Sequence, residues 1–473
     1  MAHVLFLQFQ SFAFPGLYAL CGALRDAGHT YRVEIIRDPE QAPQVAAVHQ
    51  ADWVAFPCMT GIHREIVRAA RQIKQALPQI HTILGGIHPT LAPEIVQEPG
   101  VDFICRGEGE APLVALIEAV AQGMEEITVA NISWKKPDGH VVHNAMRPLT
   151  ADLDTLPFPD YGIYRHLPVI AGDSYPAVFM TRGCPYACSY CHNSNQRQLY
   201  RGLGPYVRTL SVPRILEEVA ALRIHYPAAR AIFLGSDTLG RDMLFLNALF
   251  TGFHQRFAMP YTCLIRPELV TEELAALLKK TGCHMIAFGI ESGSERVRRQ
   301  LLRRRYHNEQ VLQAAQHLRT QGVRFRTYNI VGFPSETPEE MLETLALNHQ
   351  IRPDFPWCAI YTPYPGTQLA QFAIENNYLK SGYCYHDTPL SFFNDSILTG
   401  VNRDFIRNLH AWFQILVLIP RLLPWVRPLL FGPYRPIYRW VFKGVYAWVC
   451  LKSENRSLFS FIRLALTNRR QFR

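Results

Sequence analysis

The 473-residue sequence lacks several features that would place it quickly. No basic stretch precedes the apolar start Met1-Ala2-His3-Val4-Leu5-Phe6-Leu7, so a secretory leader is not expected and the segment reads as a first strand. The 11 cysteines are odd in number and, one cluster apart, scattered. That pattern argues against a disulfide framework and suits reduced thiols in a cytoplasmic chain. Positive charge is missing from most of the chain. The net charge is +9, yet residues 401–473 hold 13 Lys and Arg against 2 Asp and Glu, which leaves −2 for the first 400 residues. A nucleic-acid grip spread over the whole protein is therefore not expected. The tail also lacks an unbroken apolar helix. Residues 412–431 form a 20-residue apolar run, long enough to cross a bilayer. Pro420, Pro424 and Pro428 break it, and Arg421 and Arg427 sit inside it.

What the chain does have is a cluster of thiols. Cys184, Cys188 and Cys191 stand in a C-x3-C-x2-C spacing directly after the apolar run Ala177-Val178-Phe179-Met180. A strand ends there, and the cysteines lie on the loop that leaves it. Structural zinc wants four closed ligands, but the nearest other cysteines are Cys105 and Cys263. A cubane iron–sulfur cluster is normally held by four cysteines. Three would leave one iron open to bind and activate a ligand. The bland alternative is a structural zinc site or a chance cluster.

This spacing, with the aromatic Tyr190 before the last cysteine, resembles the signature of the radical S-adenosylmethionine (SAM) enzymes. The resemblance implies a 4Fe-4S cluster on the three cysteines, SAM on the open iron, and its anaerobic cleavage to a 5′-deoxyadenosyl radical. The phrase Phe288-Gly289-Ile290-Glu291-Ser292-Gly293 also matches the family, which puts Glu291 against SAM. Gly235, Ser236 and Asp237 stand where the family has a Gly-rich segment touching the SAM amino group, with an altered sequence. Arg266, at the end of a strand, and Tyr190 complete the implied SAM set.

Ahead of the triad, strands at 4–7, 31–36, 53–56, 82–86 and 103–105 alternate with helices. This predicts a doubly wound parallel sheet with ligands at the carboxyl ends of its strands. The loops at those ends are Pro15-Gly16-Leu17, Gly85-Gly86-Ile87-His88 and Arg106-Gly107-Glu108-Gly109-Glu110, whose glycines let backbone approach a large ligand. In this order they resemble the cobalamin-binding domain that precedes the radical SAM domain in one large subfamily. The implied cobalamin residues are Gly16, Gly85, Gly86, His88, Gly107, Glu108 and Gly109. The other common cobalamin motif, Asp-x-His-x-x-Gly, is absent. Its nearest match, Asp138-Gly139-His140-Val141-Val142-His143, reads as a surface hairpin. Cobalt is thus not expected to take a histidine from that motif. The bland alternative is a Rossmann-like domain without its ligand.

The expected class is α/β. A Rossmann-like, cobalamin-binding domain over 1–144 is followed by a proline-punctuated linker over 145–176. A partial (β/α)6 TIM barrel spans 177–385, with its chemistry at the strand ends, and a basic, aromatic, helical extension spans 386–473. The resemblance implies a cobalamin-dependent methyltransferase acting on an unactivated carbon or on phosphorus. Oxidative cyclisation or rearrangement with the same cofactors is a second reading, and a non-catalytic metal-binding membrane or RNA adaptor a third. Four of the seven tryptophans, Trp412, Trp425, Trp440 and Trp448, lie in the tail. It reads as a cap on the barrel, as a peripheral contact of 401–473 with the inner face of a membrane, or as both. The expected partners are a small-molecule substrate, lipid- or isoprenoid-like in keeping with that tail, and an external electron donor such as flavodoxin or ferredoxin. Nucleic acid is not among them.

Overall fold

The structure, a computed structural model, describes residues 1–453 except 137, 241, 390–392 and 394. The expectations for the tail beyond residue 453 lie outside the described residues. Seven strands form the first sheet: β1 His3–Gln8, β2 Thr30–Ile35, β3 Trp53–Pro57, β4 His81–Gly85, β5 Phe103–Cys105, β6 Ile132–Lys135 and β7 Val141–His143. Their order is β2-β1-β3-β4-β5-β6-β7. The first five are parallel, and β6 and β7 join antiparallel as the hairpin expected around Asp138-Gly139.

The continuous apolar run of β1 follows from burial on both faces. Alternate side chains of a strand point to opposite faces, so Val4 and Phe6 enter one core while Leu5 and Leu7 enter another. Helices Pro15–Asp26 and Glu110–Ala121 cover the first face, and Ala42–Val48 and His63–Ala76 cover the second. Each such fully buried side chain contributes about 1.5–3 kcal/mol.

The first core does not stop at the domain boundary. It runs on through Tyr161, Tyr164 and Val178 into the catalytic half. Tyrosines of the linker stitch the join. Tyr164 donates to Gln8 Oε1 (2.8 Å) and accepts from the Phe14 N–H (3.0 Å). Tyr161 donates to Glu218 Oε2 (2.8 Å), and the hydroxyls of Tyr18 and Tyr226 meet at 2.5 Å. Gly22 lies so close to the Phe158 carbonyl that any Cβ there would collide with it.

The second half begins with β8 Ala177–Phe179 and a small antiparallel pair, β9 Thr181–Arg182 and β10 Arg208–Thr209. It continues with β11 Ile232–Gly235, β12 Tyr261–Leu264, β13 Cys283–Glu291, β14 Arg324–Val331 and β15 Phe355–Ile360. The six-stranded parallel sheet has the order β15-β14-β13-β12-β11-β8, so it is an open, partial barrel with two edges. Intervening helices pack outside it. One of them, Met243–Phe257, has no counterpart among the sequence expectations. The Thr337-Pro338-Glu339-Glu340 start behaves as its residues dictate. The Thr337 hydroxyl accepts from the Glu340 N–H (3.2 Å), and Glu340 Oε2 accepts from the Thr337 N–H (3.0 Å).

The helix Arg403–Leu418 covers the β15 edge. Phe405, Leu409, Phe413 and Leu416 pack on Val331, Cys358 and Ile360, and Gln414 Nε2 donates to the Pro356 carbonyl (3.0 Å). An exposed strand edge is a template for unwanted pairing, and this helix removes it. The cap reading thus describes this part of the tail.

Candidate cofactor sites

The cysteine loop leaves β9 at Gly183, whose φ of +83° and closeness to the Tyr206 carbonyl exclude any other residue without strain. Asp237, just beyond β11, clamps the loop from both sides. Its Oδ2 accepts from the Gly183 N–H (2.8 Å) and its Oδ1 from Asn193 Nδ2 (3.2 Å). In the middle, the Ser189 hydroxyl donates to the Leu301 carbonyl (2.5 Å) and its N–H to that of Leu302 (3.2 Å).

Between these anchors Cys188 is buried, and Cys184 and Cys191 are half-buried. Burial raises the Cys184 thiol above its usual range and pushes Cys191 up to about 12, each helped by the neighbouring thiols. Metal binding would therefore displace protons. Structural zinc wants four closed ligands, which three thiols with no fourth cysteine nearby do not supply. A cubane, whose ligands bind different irons, suits three separate thiols with no fourth.

Around the triad lies the expected SAM set. Arg266 stacks its guanidinium over Tyr186 (3.7 Å), donates to Cys188 Sγ (3.8 Å) and pairs with Glu268 (2.5 Å). Glu291 ends β13 with φ +65°, a left-handed conformation that a non-glycine residue seldom adopts. Such strain clusters at functional sites. Burial raises its carboxyl above the usual range, against the pull of Arg304 at 3.3 Å. Gly289 leaves room for that carboxylate, since a Cβ there would overlap Glu291 Oε1. Arg304 also donates to the Tyr190 hydroxyl (3.2 Å) and to the Gly289 carbonyl (2.6 Å), so Tyr190, Glu291 and Arg304 form one buried unit. Sequence reasoning missed Arg304, although it stands in the basic run Arg303-Arg304-Arg305 shortly after the Glu-Ser-Gly phrase. Ser236 and Thr181 are buried with hydroxyls that find no partner among the described residues, as expected of groups awaiting a ligand. Asp237 lines the cavity, and both of its oxygens accept from the cysteine loop, so it also orients that loop.

A cavity of about 530 Å³ lies where the two halves meet, within the usual range for ligand sites. Gly16, Gly85, Gly86, Gly107, Glu108 and Gly109 line it on one side, and Phe179, Thr181, Gly183 and Asp237 on the other. It therefore runs from the glycine loops to the cysteine loop. An added Cβ at Gly16 or Gly85 would meet no atom of the described residues within 4 Å, so these glycines open space that the described fold does not fill. That is a cradle suited to a flat, bulky group such as cobalamin.

His88 does not line the cavity, contrary to the sequence expectation; its neighbour Ile87 does. The His88 ring stacks on His63 (4.4 Å) and meets Tyr385 (5.0 Å), while its Nδ1 faces the Thr60 hydroxyl (2.8 Å). Burial lowers its pKa to about 3. The short turn Ile87–Leu91 buries this side chain among those rings. Glu108 lines the cavity but is already paired, with Arg208 (2.5 Å) and Arg182 (3.3 Å), and Arg182 also binds Glu110 (2.5 Å). These cross-domain pairs fasten the glycine loop to the strand that delivers the triad. Neither arginine was found from sequence.

Residues 178–347 match the model of the radical SAM superfamily, and residues 13–117 match that of the B12 binding domain. An uncharacterized methyltransferase, PH0819, of Pyrococcus horikoshii is 29% identical over 69% of this chain and 70% of its own length. An anaerobic magnesium-protoporphyrin IX monomethyl ester cyclase of Rubrivivax gelatinosus is 29% identical over 74% of this chain and 64% of its own. The solved cobalamin-dependent SAM radical enzyme OxsB, with aqua-cobalamin and SAM bound, shares the fold at a TM-score of 0.71. It is 15% identical, and the match covers 99% of this chain and 75% of that one. The two matched domain families stand in the expected order, B12 binding ahead of radical SAM, and the cavity bridges the two matched segments.

Proposed function

We propose that this protein is a cobalamin-dependent radical SAM methyltransferase that acts on an unactivated carbon or on phosphorus. The observation that carries the reading is the single cavity joining the glycine loops to the cysteine loop. When bound, the cofactors supply radical generation and the methyl group. The chain's own part is to hold and orient them. Cys184, Cys188 and Cys191 would hold the cluster, and Asp237 fixes their loop. Glu291 with Tyr190 and Arg304, the Gly235–Ser236 segment, and Arg266 would position SAM. Gly16, Gly85, Gly86, Gly107 and Gly109 would admit the corrin face. The buried setting of Glu291 and Arg304 keeps water from the reacting side.

The corresponding division is a cobalamin domain over 1–144, a linker to 176, a radical SAM barrel to 385 and an extension to 473. A small-molecule substrate and a reductant go with this chemistry. Flavodoxin or ferredoxin suits the second role. The basic, aromatic tail favours a lipid- or isoprenoid-like substrate at the inner face of a membrane.

The test is anaerobic reconstitution with iron, sulfide, SAM and hydroxocobalamin, followed by product analysis. 5′-Deoxyadenosine together with S-adenosylhomocysteine is the expected result. Deoxyadenosine alone would favour oxidative cyclisation, which the 29% identity to a cyclase also supports. Absence of both products would overturn the enzyme reading.

A further inference from the structure

A surface helix normally turns charged and polar residues to water. The helix Tyr438–Ser453 turns tryptophans to water as well. Tyr438, Phe442 and Val449 are buried against Trp412, His410, Met285 and Phe355. The opposite face, reached at spacings of four, carries Trp440, Gly444 and Trp448, all exposed. Trp440 is 72% exposed, and Trp425, on the neighbouring helix Leu423–Leu430, is 81% exposed. Ile419, Phe431 and Ile437 are exposed on the same stretch. Elsewhere the large exposed apolar side chains, such as Val48, Ile224 and Leu244, are scattered along the chain, as on any soluble surface.

The same stretch has a one-sided charge. Between Asp404 and Glu454 there is no acidic residue, but there are seven Lys and Arg. Arg421, Arg427 and Arg435 are exposed among the tryptophans. Tryptophan beside arginine is the chemistry of a membrane interface, where the indole sits at headgroup depth and the cation meets anionic lipid. None of the described helices is long and apolar enough to cross a membrane.

We propose that residues 419–448 form a docking face that lies on an anionic lipid bilayer without crossing it. Charge complementarity selects that occupant. A second copy would set the five cations of 419–448 against five, and the chain's own residues 454–473, with five Arg and one Glu, carry the same sign as the face. The proposal deepens the membrane-side reading above and is independent of which bond the enzyme makes. The barrel edge sits directly beneath this face, through Phe355 and the helix Arg403–Leu418.

The test is co-sedimentation of the full-length, cluster-loaded protein with vesicles. One set is phosphatidylcholine mixed with phosphatidylglycerol, the other phosphatidylcholine alone. Binding to the mixed vesicles should exceed binding to the neutral ones by about tenfold and fall as salt is raised. The variant Trp425→Ser/Trp440→Ser/Trp448→Ser changes only exposed side chains. It should bind about tenfold less while keeping the iron content and thermal midpoint of the intact protein. Equal binding to both vesicle types, or a triple variant that binds like the intact chain, overturns the proposal. So does self-association in solution, seen by light scattering, that disappears in the triple variant, because it gives the face to a second copy. Deoxyadenosine and S-adenosylhomocysteine released without vesicles report on the catalytic reading separately.

Discussion

The two walls of the central cavity are built on different principles. The N-terminal wall is opened by backbone, where Gly16, Gly85, Gly86, Gly107 and Gly109 interrupt an otherwise apolar lining. The facing wall is set by side chains: Phe179, Thr181 and Asp237 line it, while Arg266 and the Glu291–Arg304 pair are not part of the lining but bond to the cysteine loop. A backbone wall accommodates a large ligand by leaving space. A side-chain wall sets a small number of groups at fixed positions. Damage to the first should therefore cost occupancy of one cofactor, and damage to the second should cost geometry.

Three changes separate the walls. The largest effect is expected from Cys188→Ala. Iron content should drop, and deoxyadenosine release should fall by more than about 100-fold, beyond the 10–100-fold typical of losing a supporting residue. Asp237→Ala frees Gly183 and Asn193 from their shared anchor and should lower iron retention and deoxyadenosine release by about 10–100-fold. Gly85→Leu should act on the other wall alone. No atom of the described residues lies within 4 Å of the new Cβ, so the fold should tolerate it. Cobalamin retained after gel filtration should fall about tenfold, or ~1.4 kcal/mol, with iron unchanged. Loss of iron in this variant would mean that the walls are not independent.

The smallest effect is on pH dependence. Glu336 is buried with its carboxyl pushed up to about 8 by desolvation, and it accepts from the Gly332 and Phe333 N–H groups, at 2.8 and 3.1 Å. Its folded pKa lies above the unfolded one. The folded state therefore holds the extra proton, and stability falls as pH rises from about 4.5 toward about 8, by up to about 1.4 kcal/mol per pH unit. Glu336→Gln keeps an acceptor for both N–H groups and should flatten that fall. Thermal midpoints measured between pH 5 and pH 8, about the span of the shift, check this. An unchanged slope would remove Glu336 as the cause.

Local patterns told most of this story. The thiol spacing, the strand–helix alternation and the glycine loops each depend on a few adjacent residues, and each has its expected place. What escaped depends on the third dimension. Whether His88 or Ile87 faces the cavity is decided by the rotation of a five-residue helix against Tyr385, nearly 300 positions away. The pairing of Glu108 with Arg208 and of Arg304 with Glu291 joins separate loops, and no periodicity announces it. Asp237 was found as an acidic strand end, but its direction, toward Gly183 and Asn193, was not in the motif.

The tyrosine-stitched linker has a consequence for how such proteins can change. The two halves look like exchangeable modules in sequence, yet Tyr18, Tyr161, Tyr164 and Tyr226 belong to one apolar core that crosses between them. Replacing a half with that of a distant relative would leave half of each tyrosine contact without its complement. Transplants that carry the linker and the chain through Tyr226, the residue after the helix Val212–His225, together with the N-terminal half keep Tyr161–Glu218 and Tyr18–Tyr226 intact. The natural cut for recombination thus lies inside the barrel, after Tyr226, and not at the boundary where the motifs change.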